Sequence, residues 1–218
     1  VEMNSSKILL WDDCIDVIRL KGSGVRKFLQ GQTTTEILKA QKNTPIRTCR
    51  LSVKGKVLFL LEIIITDYFT DIFVLFGDIN RIIDEFNKVI FPVDKVEIEV
   101  VNNIRRIQKI NFQEKWIKSD FILINDKKIL PDYIKDYHRA TLDQIEEWRI
   151  IQGIPSLDKE LNGNTNPFEL GLAELVNLDK GCYLGQEIIA RLVRSGVRNQ
   201  LKLWESKHSI KPGKNFLK

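Results

Sequence analysis

The 218 residues, 43% of them hydrophobic, suffice for one large globular domain or two small ones, which excludes a disordered or fibrous protein. Thirty-four Lys and Arg residues against 29 Asp and Glu residues give a net charge of +5, which favours anionic partners without selecting one. Three cysteines, Cys14, Cys49 and Cys182, are widely spaced and odd in number, which excludes a disulfide framework and a metal site built by the chain alone. No apolar run reaches the ~18 residues of a membrane span and no signal-peptide core is present, so we predict a cytoplasmic protein without membrane contacts.

The N-terminal quarter predicts two strands followed by a helix. Residues 7–11 and 14–20 alternate or run apolar as strands do. Residues 25–30 have the three-and-four spacing of a buried helix face, and Gly31 is a typical terminator. Residues 32–35 then predict either a capped turn or a loop that faces a ligand.

A hairpin follows. Residues 46–53 and 57–66 predict two strands joined at Gly55, which can adopt positive φ. The second strand is almost wholly apolar, so we place it centrally in a sheet that is covered on both faces. Residues 71–76 predict a further strand, and residues 79–90 an amphipathic helix.

The second half of the chain also predicts a mixture of strands and helices. Residues 95–101, 104–110 and 121–124 predict strands, and Thr141 caps a helix that Gly153 closes. The sequence therefore predicts an α+β layer architecture.

Basic residues are clustered three times along the chain. We interpret each cluster as a solvated face rather than a dedicated anion site. The clusters are Arg47, Arg50, Lys54 and Lys56; Arg105, Arg106 and Lys109; and Arg191, Arg194, Arg198 and Lys202.

The most informative stretch spans residues 180–187. Leu184, Ile188 and Leu192 recur every four positions, which predicts a helix with Cys182 at or just before its first turn. Free helix amides and the cation of Lys180 would stabilise a thiolate there, making Cys182 a reactive nucleophile or a soft ligand. The alternative is an inert core thiol.

This stretch, Lys-Gly-Cys-Tyr-x-Gly-Gln-Glu, resembles the signature of the YgfZ family of folate-binding proteins, which is implicated in iron–sulfur cluster maintenance and tRNA modification. Supporting pieces occur in the right order: residues 28–32 (Phe-Leu-Gln-Gly-Gln), residues 54–56 (Lys-Gly-Lys), Arg149, and residues 153–155 (Gly-Ile-Pro). The resemblance thus spans most of the chain.

The resemblance implies a fold shared with the glycine-cleavage T-protein: two interleaved ferredoxin-like halves around a folate site, followed by a C-terminal β-barrel. We therefore expect a folate-binding-like domain over residues 4–195 and only the start of a truncated or missing barrel over residues 196–218. Cys182 is the catalytic candidate. The resemblance also implies tetrahydrofolate as cofactor, with binding positions at Phe28, Gln30, Gln32, Arg149, Lys180, Gly181, Tyr183, Gly185, Gln186, Glu187 and Arg191.

Three functions stay open. Phe59, Leu60 and Ile151 occupy positions at which the T-protein carries acids for aminomethyl transfer and pterin recognition, so we rank a YgfZ-like role with iron–sulfur clients above aminomethyl transfer. The third hypothesis is a basic RNA- or client-docking module in which Arg191 and its neighbours contact tRNA. Glu187 and Arg191 could equally form an ordinary surface pair. A mitochondrial matrix location is the alternative to the cytoplasm, because the family also occurs there.

Overall fold

A computed structural model describes residues 8–76, 78–125, 129–156 and 160–196. The strands are β1 (Leu9–Lys21), β2 (Ile46–Leu51), β3 (Val57–Ile65), β4 (Thr70–Phe76), β5 (Glu97–Ile110), β6 (Phe121–Asn125) and β7 (His138–Arg139). The helices are α1 (Val25–Gln32), α2 (Ile79–Asn87), α3 (Leu142–Ile151) and α4 (Gln186–Ser195). The predicted barrel segment lies, apart from Gly196, outside the described residues, so the domain boundary stays a prediction.

The described strands form a single seven-stranded sheet. Its order is β2-β3-β4-β1-β5-β6 with antiparallel neighbours, and β7 adds a short parallel pairing to β1. Helices and connecting loops cover this sheet, which confirms the predicted α+β class.

Strands β1 and β5 are the longest strands of the sheet. The sequence predicted each of them as two strands, whereas each is continuous over 13 and 14 residues. The break in their alternation is a β-bulge: the pairing shifts between Ile15 and Val17, and Asn103 on the partner strand has φ +60°. Because a bulge bends both strands without ending them, each strand crosses from one hydrophobic core to the other.

Strand β3 contributes to both hydrophobic cores. Phe59, Leu61 and Ile63 pack with α1 and α2 in the first core. Val57 and Leu60 pack in the second, which also contains Trp148 of α3 and Ile189 of α4. This double burial confirms the central position that the apolar run predicted.

The sheet also buries an ionic cluster. Glu62 of β3 is fully buried and accepts from Arg47 Nε and from Arg106 Nε and Nη2, each at 2.9 Å. Arg106 stacks over the rings of Trp11 and Phe121 at 4.7 and 4.5 Å. The interpretation of Arg47 and Arg106 as members of solvated faces is therefore wrong, because both side chains are buried against a shared counter-charge.

Helix ends follow local chemistry. Thr141 caps α3 as predicted, and its hydroxyl and the Gln144 side chain form a reciprocal capping box. Helix α1 continues one residue beyond the predicted terminator Gly31, whose φ is not positive, and ends at Gln32.

Candidate functional site

The signature stretch docks onto the β2–β3 hairpin through two glycines. Gly55 of the hairpin turn has φ +69° and Gly185 has φ +83°. A Cβ placed on Gly185 would lie 2.6 Å from the Ser52 carbonyl oxygen and 3.2 Å from Gly55 Cα. Only glycine fits this approach, because both the backbone conformation and the available space exclude a side chain.

Helix α4 begins later than predicted, and the correction bears on Cys182. Gly185 adopts a left-handed conformation, so the first helical residue is Gln186 and Leu184 precedes the helix. Cys182 therefore lies four residues before α4, outside its first turn. The proposed stabilisation of a thiolate by free helix amides does not apply, since that effect is confined to the terminal turn.

Lys180 anchors the signature stretch to the segment that follows α1. Its buried ammonium donates to the carbonyl oxygens of Thr33 and Thr35, both at 2.7 Å, and lies 5.1 Å from the Tyr183 ring. Burial lowers the pKa of Lys180 to about 8, and the negative charge of Glu36 only partly opposes this. The cation predicted to support the Cys182 thiolate is engaged in holding two loops together.

Further hydrogen bonds fix the same junction. Thr34 Oγ1 donates to the Leu175 carbonyl at 2.7 Å, and the Asn177 amide donates to the Thr34 carbonyl at 2.9 Å. The Leu184 amide donates to the Gly31 carbonyl at 3.1 Å. Residues distant in sequence thus form one rigid scaffold around Cys182.

This scaffold leaves an open groove of about 410 Å³, which we call the signature groove. Its lining residues are Gly31, Gln32, Val53, Cys182, Tyr183, Leu184, Gly185, Gln186, Glu187 and Ile188. Cys182 is exposed there, so its sulfur is accessible to a ligand or a partner. The structure places five of the predicted binding residues around that thiol: Gln32, Tyr183, Gly185, Gln186 and Glu187.

The other predicted residues lie elsewhere. Phe28 packs in the first core with its ring 5.3 Å from that of Phe86. Gln30 is buried, and its side-chain oxygen accepts from the Ile37 amide at 2.7 Å. Gly181 is exposed with no atom within 4 Å of a built Cβ.

Arg149 is buried in a structural role. It forms a bidentate pair with Glu146, with both N–O distances 2.7 Å, and donates to the Ile154 carbonyl at 2.5 Å. The hydrogen bond to Glu146 raises the pKa of Arg149. The Arg149 guanidinium therefore joins the end of α3 to the loop that follows it.

Arg191 lies on the exposed face of α4. Its guanidinium is 3.3 Å from Glu187, four residues earlier, with side-chain exposures of 67% and 85%. Such a pair supports a helix by only about 0.3–0.5 kcal/mol. Arg198 and Lys202 of the same basic cluster lie outside the described residues.

Tyr183, which lines the groove, belongs to the same hydrophobic core as Cys49. Both are buried in the second core, and burial raises the pKa of each to about 12. Cys49 is thus a structural thiol, whereas Cys14 and Cys182 are exposed.

Sequence reasoning missed one residue behind the groove. Arg50 was interpreted as part of a solvated face, yet its side chain is buried against Gln32 and Glu85. The only signal in the sequence was its spacing of two residues from Thr48, which places both side chains on one face of the strand.

Comparisons with known proteins agree with this geometry. The chain is 25% identical over 209 residues to the tRNA-modifying protein YgfZ of Colwellia psychrerythraea, an alignment that covers 80% of this chain and 64% of that protein. It is 26% identical over 197 residues to an uncharacterized protein of Haemophilus influenzae, covering 84% of this chain and 68% of that protein. No protein-family model matches the chain.

The crystal structure of the glycine cleavage system aminomethyltransferase T from Bartonella henselae superposes with a TM-score of 0.64 at 10% identity, covering 88% of this chain and 65% of that one. This likeness confirms the predicted T-protein-like fold. The chain is thus similar in sequence to a YgfZ protein and in fold to aminomethyltransferase T.

Over a shorter alignment of 57 residues, the chain is 46% identical to a chloroplastic protein of Arabidopsis thaliana named as a putative transferase. That alignment covers 26% of this chain and 13% of the plant protein. The chain thus spans about two thirds of the length of its bacterial relatives and much less of the plant protein. Its described helices are all too short or too polar to cross a membrane.

Of the three positions where the resemblance implies acids in the T-protein, only two lie in hydrophobic surroundings. Phe59 and Leu60 are fully buried, each in a different core. Ile151, at the end of α3, is 37% exposed. None of the three side chains can transfer a proton or accept a hydrogen bond.

Proposed function

We propose that the chain is a folate-binding protein of the YgfZ type that supports the assembly or repair of iron–sulfur enzymes, including enzymes that modify tRNA. The observation that carries this proposal is the exposed Cys182 thiol in a groove lined by the signature residues. A volume of about 410 Å³ is within the range of small-molecule sites.

In this proposal Cys182 is the reactive group and tetrahydrofolate is a ligand or one-carbon acceptor. Gln32, Gln186 and Glu187 are the polar side chains available to a ligand in the groove. Lys180 and Gly185 act by holding the groove in shape. We place the protein in the cytoplasm, with the mitochondrial matrix as the alternative.

Complementation tests the thiol. In cells that lack a YgfZ-type protein and are deficient in tRNA thiolation, wild-type chain should restore thiolation and Cys182→Ala should not. Cys14→Ala is the matched control, because Cys14 is also exposed but lies outside the groove. Full rescue by Cys182→Ala would remove the central role of the thiol.

Calorimetric titration with tetrahydrofolate tests the ligand. We expect saturable binding that Gln32→Ala weakens. If wild-type protein releases no binding heat at millimolar tetrahydrofolate, the folate part of the proposal is wrong and an adaptor role takes its place.

Aminomethyl transfer is a second candidate, which the fold shared with aminomethyltransferase T favours. The hydrophobic Phe59 and Leu60 argue against it, since the reaction needs a carboxylate near the folate nitrogen. A coupled assay with lipoyl-bound aminomethyl carrier protein should give only background turnover. Turnover above background would reverse the ranking.

The third candidate is a basic RNA- or client-docking module without catalysis. Arg191 and Arg194 are exposed on α4, where they can reach phosphates. Binding should then weaken steeply as salt rises, because each phosphate contact releases a counterion. Salt-insensitive or absent binding of tRNA would leave these arginines as surface residues.

A further inference from the structure

Arg50 lies directly behind the signature groove and is fixed by three elements. Its side chain extends from β2 and is only 3% exposed. Nη1 donates to Gln32 Oε1 of α1 at 2.7 Å, and Nη2 lies 3.2 Å from Glu85 Oε2 of α2. The guanidinium also lies 5.3 Å above the Phe86 ring. A group held from these sides has little freedom to move.

This contact determines which way the Gln32 amide points. A guanidinium can only donate, so the atom of Gln32 that faces Arg50 must be the carbonyl oxygen. The amide nitrogen with its two hydrogens is then directed away from Arg50, and Gln32 lines the groove beside Cys182. Within the described ranges, no residue accepts a hydrogen bond from this nitrogen. Gln32 therefore offers the groove an amide donor whose orientation Arg50 fixes, and Cys182 lines the same groove.

We propose that Arg50 is a positioning residue that fixes Gln32 as the hydrogen-bond donor of the signature groove, so that the group held beside Cys182 presents a neutral carbonyl oxygen to it. A carbonyl oxygen matches this donor, because a neutral amide N–H donates to an oxygen lone pair without adding a charge. This inference rests on the proposed function only in placing ligand chemistry at the groove.

Alkylation of Cys182 tests the donor without folate. Iodoacetamide carries a carbonyl next to its reacting carbon, whereas allyl iodide carries no hydrogen-bond acceptor. In both reactions the sulfur forms a bond to carbon, iodide leaves with the bonding electrons, and the thiol proton goes to solvent. A neutral hydrogen bond to the carbonyl should make the iodoacetamide-to-allyl iodide rate ratio about two- to tenfold higher at Cys182 than at Cys14. Peptide mass spectrometry separates the two sites in one sample, and Cys14 serves as the internal control.

Two substitutions identify the source of the effect. Gln32→Glu keeps an acceptor for Arg50, and a charged one, so the fold should be as stable as wild type or more so. It removes the donor, so the rate ratio at Cys182 should fall to that at Cys14. Arg50→Met frees the amide to rotate and should lower the ratio as well.

The double variant decides whether Arg50 acts through Gln32. If it does, Arg50→Met leaves the ratio of Gln32→Glu unchanged, because the donor is already absent. A rate ratio at Cys182 that stays at the wild-type value in either single variant overturns the inference. So does a wild-type ratio no higher than that of Cys14. Neither result touches the folate titration or the complementation experiment, so the two proposals fail separately.

Discussion

Gly185→Ala probes the contact on which the signature groove depends. Two costs are expected from the structure. Alanine at φ +83° is destabilised by about 1–2 kcal/mol in the left-handed conformation. Its methyl would also lie 2.6 Å from the Ser52 carbonyl oxygen, a backbone atom that moves only with the hairpin, which adds about 1–3 kcal/mol. The free energy of unfolding should therefore fall by about 2–5 kcal/mol.

Two other glycines separate these costs. Gly171 has φ +73°, and a Cβ added to it would have no neighbouring atom within 4 Å. Gly171→Ala should therefore lower the free energy of unfolding only by the conformational term of about 1–2 kcal/mol. Gly181 has neither a positive φ nor a close neighbour, so Gly181→Ala should change stability by no more than about 0.5 kcal/mol. Urea unfolding followed by tryptophan fluorescence measures all three. Equal destabilisation by Gly185→Ala and Gly171→Ala would refute the tight contact between the signature and the hairpin.

Three further predictions concern buried groups. Since the folded-state pKa of Lys180 is lowered to about 8 from an unfolded value of 10.5, its burial cost is full below pH 8 and absent above 10.5. Wild-type stability relative to Lys180→Met should thus rise between pH 8 and 10.5, and parallel urea midpoints at pH 7.5 and 9.5 would contradict this. Glu62→Gln leaves two buried guanidiniums without their shared counter-charge and should cost about 3–5 kcal/mol in urea unfolding, so a loss below about 1 kcal/mol would disprove the pairing. At neutral pH a maleimide should label Cys182 and Cys14 in the native protein but Cys49 only after unfolding, because burial keeps Cys49 protonated and inaccessible; native labelling of Cys49 on mass spectra would show otherwise.

Local patterns in the sequence predicted the elements well where the signal is itself local. The turn at Gly55, the Thr141 cap and the central position of the apolar strand β3 are all confirmed. The groove residues were found because most of them are contiguous in the signature stretch, and a contiguous stretch necessarily stays together in the fold. The start of α4 was wrong because helical spacing continues through Leu184, while the left-handed φ of Gly185 that precedes the helix is not visible in the spacing.

The sequence by itself determined the kind of fold, the family resemblance and the position of Cys182 within the signature stretch. Only the tertiary structure decided the surroundings of Arg50, Arg149 and Lys180, and the exposure of Cys182. The sequence does not show whether a charged residue faces water, a ligand or a buried partner. Lys180 meets the Thr33 carbonyl across 147 positions and Arg50 meets Gln32 across 18, and such meetings depend on which surfaces the folded chain brings together. Burial then fixes the function of each charge, since a desolvated cation must find its acceptors within the protein.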